Sequence, residues 1–233
     1  MPFSEVSISN MALARLGVTV PFAAGDGTVA GIDATEPSAR IRAQQVQLWY
    51  STVRDLIGRD FPFGNTTTYA ALTLASDGES ETWGDLWENA WAYPSDCLFL
   101  RGFVWPASGT LLVPWTEIAT WAPLTTAKWA IGTFGGAKVI FANGVDEDNP
   151  IVEYSARQSD ATDLDVDVAD ALAWRLAQEL AVPVLGVDGG RGIRDWCERN
   201  YAVAIDKAKR VSANEQDPLY ELNDGRWLAS RTS

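Results

Sequence analysis

The sequence predicts an α+β fold: an antiparallel four-helix bundle split by a β-rich, Trp-rich insertion lobe and followed by an extended C-terminal tail. Three observations predict it. Residues 36–58 carry an apolar stripe at helical spacing. Residues 66–156 lose that spacing and fill with aromatic, β-branched and turn residues. Helical spacing then returns over 165–181 and 191–213. Two helices before an insertion and two after it close most simply as an antiparallel bundle. The implied domains are a bundle of 1–65 plus 157–213, a lobe of 66–156, and a tail of 214–233.

Residues 4–16 read as a short helix, with Ile8, Ala12 and Leu16 four apart and Gly17 as its stop. The glycine-rich stretch 23–38 reads as a loop. In 36–58, Ala39, Ala43, Val46, Tyr50, Val53 and Ile57 step by 4, 3, 4, 3, 4, which keeps one face apolar over about six turns. Thr35 is the expected N-cap, with Glu36 and Pro37 in the first turn. Gly58 and RDFPFGN end the helix.

In the lobe, TTTYAALTLA, DCLFLRGFVW, SGTLLVPW, AKWAIGTFGGAKVIFA and NPIVEYSA read as short strands between Gly, Pro, Asn and Asp turns. Trp83, Trp87 and Trp91 step by four, so a short helix is expected over 82–92. Eight of the eleven tryptophans fall between Trp83 and Trp174. Such density points to packing, within the lobe or against a neighbouring subunit.

The third helix is expected over 165–181, with Ala169, Leu172, Ala173, Leu176 and Leu180 on its apolar face. Pro183 is its expected stop. Asp163, Asp165, Asp167 and Asp170 crowd its start, where negative charge suits the helix dipole. The fourth is expected over 191–213, with Cys197, Tyr201, Ala204, Ala208 and Val211 as its stripe and Lys207, Lys209 and Arg210 near its end. The three stripes should face one another and bury Tyr50, Val53, Leu172, Leu176, Ala204 and Ala208.

Composition narrows the chemistry. The chain has 233 residues, 31 acidic, 18 basic and no histidine, for a formal charge of −13. Phosphate neutralisation needs clustered Lys and Arg, so nucleic-acid binding is not the main activity expected. Without histidine there is no Ser-His-Asp or Cys-His catalysis, no His-ligated zinc and no imidazole switch. Cys97 and Cys197 form no CxxC pair and read as free thiols, with a single disulfide between them left open. The N-terminus lacks the basic and apolar regions of a signal peptide. No apolar run is long enough for a membrane span, since the longest, 177–187, contains Gln178, Glu179 and Pro183.

Three motifs invite a chemical reading and fail it. Asp163, Asp165 and Asp167 imitate the start of a calcium loop, but Val168 stands where the turn needs Gly and Trp174 where a bidentate Glu is needed. The run from Gly186 to Gly192 could cradle a phosphate, yet it lacks the P-loop Lys-Ser/Thr, and Asp188 would repel the anion. It reads as a flexible helix connector. Ser95 and Ser155 lack a nucleophile elbow and a base. No catalytic residue, metal or cofactor is expected.

The order of segments resembles the tail tubular protein A family, the head-to-tail adaptors of short-tailed bacteriophages. The resemblance rests on an N-x-A-L-x-x-L-G helix (Asn10, Ala12, Leu13, Leu16, Gly17) and on a second helix ending Tyr-x-x-x-Arg-Asp before aromatic and Pro residues (Tyr50, Arg54, Asp55, Phe61, Pro62, Phe63). It rests further on Tyr93, Pro94, Asp96, Cys97 and Arg101 at the start of a strand, and on the run VADALAWRLAQELA. It covers roughly 1–63, 91–104 and 150–213. Residues 105–136 and those after Asn214 match no family pattern.

The resemblance implies a structural, non-enzymatic virion protein. It implies a twelve-subunit ring under the portal, joined below to a tail nozzle protein of the tubular protein B type and to tail fibres. Double-stranded DNA would pass through its lumen without specific binding. It implies no cofactor and no membrane. The tail carries Leu219, Tyr220, Leu222, Trp227 and Leu228 after the helix-breaking Asn214 to Pro218. These five are the expected anchors on the portal, with Trp227 foremost. Two other classes stay open: a head-completion or neck protein of another phage type, and a tail-borne cell-wall hydrolase.

Overall fold

A computed structural model of the chain describes residues 3–19, 21–23, 26–32, 37–77, 86–106, 121–123, 128–145 and 150–216. The chain divides into two compact units, Met1–Asn65 with Gln158–Ser233, and Thr66–Arg157.

The first unit is helical. Helix α1 spans Glu5–Arg15, α2 spans Pro37–Asp60 and α3 spans Val166–Gln216. Ser4 caps α1 in a reciprocal box: its hydroxyl accepts from the Ser7 N–H at 3.1 Å, and the Ser7 hydroxyl accepts from the Ser4 N–H at 2.8 Å. Gly17, at φ 77°, ends it. Both α1 and α2 pack on α3. Their stripes form one core in which Tyr50, Val53, Leu172, Leu176 and Ala208 are buried together with Ile8, Ala12 and Leu13, and Ala204 is buried outside that cluster.

The four-helix bundle is not what forms. There are three α-helices among the described residues, because Val166–Gln216 runs as one helical element kinked at Gly186, with no loop between two separate helices. Pro183 does not stop it. Its one non-helical residue is Gly186, at φ 77° and ψ 172°. That single residue turns the chain so that the limb after it lies against the limb before it. Trp174 and Trp196 stack edge to face at 4.9 Å, and Lys207 reaches Asp167 at 2.7 Å, contacts a straight helix could not make. Gly190 permits the reversal: a Cβ there would lie 2.7 Å from the Ala181 carbonyl oxygen. No helix of the described residues is long and apolar enough to cross a membrane.

The second unit is two antiparallel four-stranded sheets. The first has the order β1 (Thr67–Ala71), β8 (Ile151–Ala156), β4 (Cys97–Pro106), β5 (Trp121–Pro123). The second has the order β2 (Leu74–Asp77), β3 (Asn89–Ala92), β7 (Ala137–Asn143), β6 (Lys128–Phe134). Both contribute to one apolar cluster: Leu100, Phe103, Val152 and Tyr154 from the first sheet, Trp91, Ile140 and Ala142 from the second. Gly135 and Gly136, at φ 58° and 81°, make the two-residue turn between β6 and β7, where positive φ at both positions matches the strand twist. The expected helix over 82–92 is not found. Residues 89–92 are strand β3, with Trp91 buried, and 81–85 lie outside the described residues.

Candidate assembly surfaces

The motif residues are occupied in holding the fold. The Asn10 side chain takes both ends of a backbone pairing with Phe22, donating to its carbonyl at 2.9 Å and accepting from its N–H at 2.7 Å. Arg54 binds Asp55 at 2.9 Å and approaches Glu5 at 3.9 Å. Phe61 and Phe63 meet edge to face at 4.9 Å. In the second unit the Tyr154 hydroxyl donates to Asp96 at 3.1 Å, and the Asp96 carbonyl accepts from the Arg157 N–H at 2.7 Å. The Cys97 thiol donates to the Tyr93 hydroxyl at 3.1 Å. Cys97 and Cys197 are both free, and burial pushes each thiol above its ordinary value.

The carboxylates that sequence places in suggestive clusters are similarly engaged. Asp170 pairs with Arg15, whose guanidinium stacks 4.0 Å over Trp174. Asp167 holds Lys207, and Asp160 caps the 3-10 turn Ala161–Asp163 by accepting from the Thr162 N–H at 2.8 Å. Among the described residues, no group of three His, Cys, Asp or Glu side chains could hold a metal.

A polar recess of 450 Å³ is lined by Glu5, Asp26, Thr28, Asp160 and Thr162 among others. Each of its carboxylates already accepts a backbone N–H: Glu5 from Val29 at 2.9 Å, Asp26 from Thr28 at 3.0 Å, and Asp160 from Thr162. Those bonds hold Asp26 and Asp160 below the usual carboxylate range. Acid–base work needs one carboxyl raised beside one ionised, and Asp26 and Asp160 are shifted in the same downward direction. A shallower groove of 610 Å³ along α1, lined by Asn10, Met11, Ala14, Val18 and Pro21 among others, carries no ionisable group.

Large apolar side chains are exposed at two places among the described residues. The first is the outward side of α2. Ile41 is 56% exposed, Leu48 62% and Leu56 42%. At 100° per residue, Ile41, Leu48, Thr52 and Arg59 fall on one line, opposite the buried Tyr50 and Ile57. The second is on the first sheet, on the face that carries Glu153, which is covered at Ile151 and Ser155. Tyr69 pairs with Glu153, and Phe99 pairs with Ser155, so all four share that face. Tyr69 is 37% and Phe99 43% exposed. Arg101 donates to Ser155 Oγ at 2.6 Å and stands 5.5 Å over the Phe99 ring.

Sequence reasoning missed both surfaces. Its five expected anchors, Leu219, Tyr220, Leu222, Trp227 and Leu228, lie outside the described residues. A usable signal was present: Ile41 and Leu48 are one heptad apart and off the core stripe, in a helix whose residues 37–54 contain no Asp or Glu.

Burial of the Tyr154 phenol, reinforced by the Asp96 charge, raises it to about 12. Desolvation and Glu153 raise Tyr69 as well. A phenol raised in the folded state keeps its proton where the unfolded chain loses it. The contribution of this burial to the stability of the sheet unit should therefore be fully present below pH ~10, decline as pH rises further, and be lost through about 12. Tyr154→Phe should flatten that decline in alkaline denaturation followed by circular dichroism. A slope unchanged by the substitution would assign it elsewhere.

No family model and no curated protein sequence matches this chain.

Proposed function

We propose that this chain is a structural adaptor subunit of a short-tailed bacteriophage, forming a ring between portal and tail nozzle and leaving a passage for DNA. The supporting observation is how the motif residues are used. Asn10, Tyr50, Arg54, Asp55, Asp96 and Cys97 all serve as internal braces through the bonds described above or, for Tyr50, through full burial. A framework protein spends its recurrent residues in that way, whereas an enzyme keeps some of them facing a cleft. The net charge of −13 fits a lumen that repels phosphate and lets DNA slide. In this reading the protein is not an enzyme, needs no cofactor, resides in the virion, and meets the portal, the nozzle protein and further copies of itself.

The test is direct. Purified protein mixed with the portal of a short-tailed phage should form a stacked ring in electron micrographs, and should leave linear duplex DNA unretarded in a gel at physiological salt. No co-assembly with such portals, or clearing of peptidoglycan by the purified chain, would overturn the reading.

A further inference from the structure

We infer that the C-terminal segment 217–233 docks along the outward side of α2 of its own chain, with Leu219, Leu222 and Trp227 covering the side that carries Leu56, Leu48 and Ile41. The inference goes beyond the adaptor proposal and does not rest on it. It gives those tail side chains an intrachain contact where the family resemblance implies the portal.

The first ground is an uncharged stretch of helix that meets water. From Ala43 to Val53, α2 contains no charged residue. Its exposed positions there are Gln44, Gln47, Leu48, Ser51 and Thr52. Leu48 is 62% exposed, flanked along the helix by Ile41 at 56% and Leu56 at 42%. At 3.6 residues per turn these three fall within ~80° of arc. A helix side that stays in solvent ordinarily carries charge. Single exposed aliphatic side chains mean little, but three along one side, spanning three turns without charge, mark a surface that another segment covers.

The second ground is where the described chain ends. The Gly64 N–H donates to Ser212 Oγ at 2.9 Å, and Lys209 Nζ stands 5.6 Å over the Phe61 ring. Both contacts join the end of α3 to the residues that directly follow α2. Helix α3 closes at Gln216, one turn beyond Ser212. The segment 217–233 therefore starts beside the C-terminal end of α2, the end nearest Leu56. Seventeen residues can reach ~56 Å when extended. The helix from Arg59 back to Ile41 is only ~27 Å long, which leaves chain enough to round it.

The third ground is what the segment carries. Pro218 cannot continue the helix, and five large apolar residues follow within ten positions: Leu219, Tyr220, Leu222, Trp227 and Leu228. In an extended chain Leu219 and Trp227 stand ~26 Å apart. Leu56 and Ile41 are ~22 Å apart along α2. The two apolar series therefore match in length as well as in character. Tethering beside the strip also gives the segment an effective concentration that a second copy would have to exceed.

Photo-crosslinking of the full chain tests this. Benzoylphenylalanine replacing Leu48, an exposed position, captures whatever covers the strip. Crosslinked peptides should map to 217–233, and mixing with heavy-isotope chain should show that both halves come from one molecule. Crosslinks to a second copy, crosslinks elsewhere in the chain, or no crosslinks would each overturn the inference. Trypsin supplies an independent readout at the Arg226–Trp227 bond. Ile41→Glu with Leu48→Glu should speed that cut about tenfold over wild type, with an unchanged thermal melt. Leu219→Ser with Leu222→Ser should speed it as much, and the four changes together should add nothing further, because both pairs break one contact. Equal cutting of the wild type and both variants would also overturn the inference. Leu48→Gln, a milder change at the same exposed position, should give an intermediate rate and guards against misfolding.

Discussion

Leu176→Ala is expected to destabilise the helical unit by ~2–5 kcal/mol. Leu176 lies on the first limb of α3, fully buried, in the core that α1, α2 and the second limb all help to close. Its neighbours at i−4, i−3, i+1 and i+4 are Leu172, Ala173, Ala177 and Leu180, all buried as well. The three alanines of this helix face, Ala169, Ala173 and Ala177, already let backbones approach closely. A cavity at 176 therefore has few side chains able to swing in, which places the cost toward the upper part of the range. Urea denaturation read by helical circular dichroism measures it. A loss under 1 kcal/mol would mean that the limbs of α3 slide together and fill the void, and that the reversal at Gly186 is a soft hinge.

That reversal is where sequence and structure part. The stripes of α1, α2 and both limbs of α3 were legible, because burial on one face imposes a period of 3.6 and each helix is long enough to display it. The connection was not legible. Pro183 followed by Gly186, Gly189, Gly190 and Gly192 reads as a loop, since proline removes an amide donor and glycines loosen the chain. In the structure a proline near the end of a limb is accommodated, one glycine supplies the left-handed turn, and a second supplies room at Ala181. Composition alone does not distinguish glycines that flex from glycines that permit contact.

The expected helix over 82–92 failed for a related reason. A spacing of four keeps residues on one face of a helix, and also on one face of a strand, because four is twice the pleat period. Trp91 belongs to a strand whose neighbours Ala90 and Asn89 are also buried, so neither period is displayed. The exposed apolar side of α2 was hidden by a different limit. Sequence periodicity ranks positions by hydrophobicity, and Ile41 and Leu48 look like imperfections in an amphipathic helix until the core side is fixed.

Trp91 carries the other large effect. Trp91→Ala should cost the sheet unit ~3–5 kcal/mol, because the indole is the largest fully buried side chain among the described residues and fills the cluster between the two sheets. Trp91→Phe should cost far less. The indole Nε1 is buried without a hydrogen-bond partner, and an orphaned buried donor is itself destabilising by ~1–3 kcal/mol. Phenylalanine gives up some packing area but removes that penalty, so the two changes oppose each other. The effect should be local. Hydrogen exchange by mass spectrometry should show protection falling in peptides of 66–157 in the alanine variant, with peptides of α1 and α3 little changed. Equal losses for alanine and phenylalanine would show that the Nε1 donor is satisfied in solution, and that the whole contribution of Trp91 comes from its polar end.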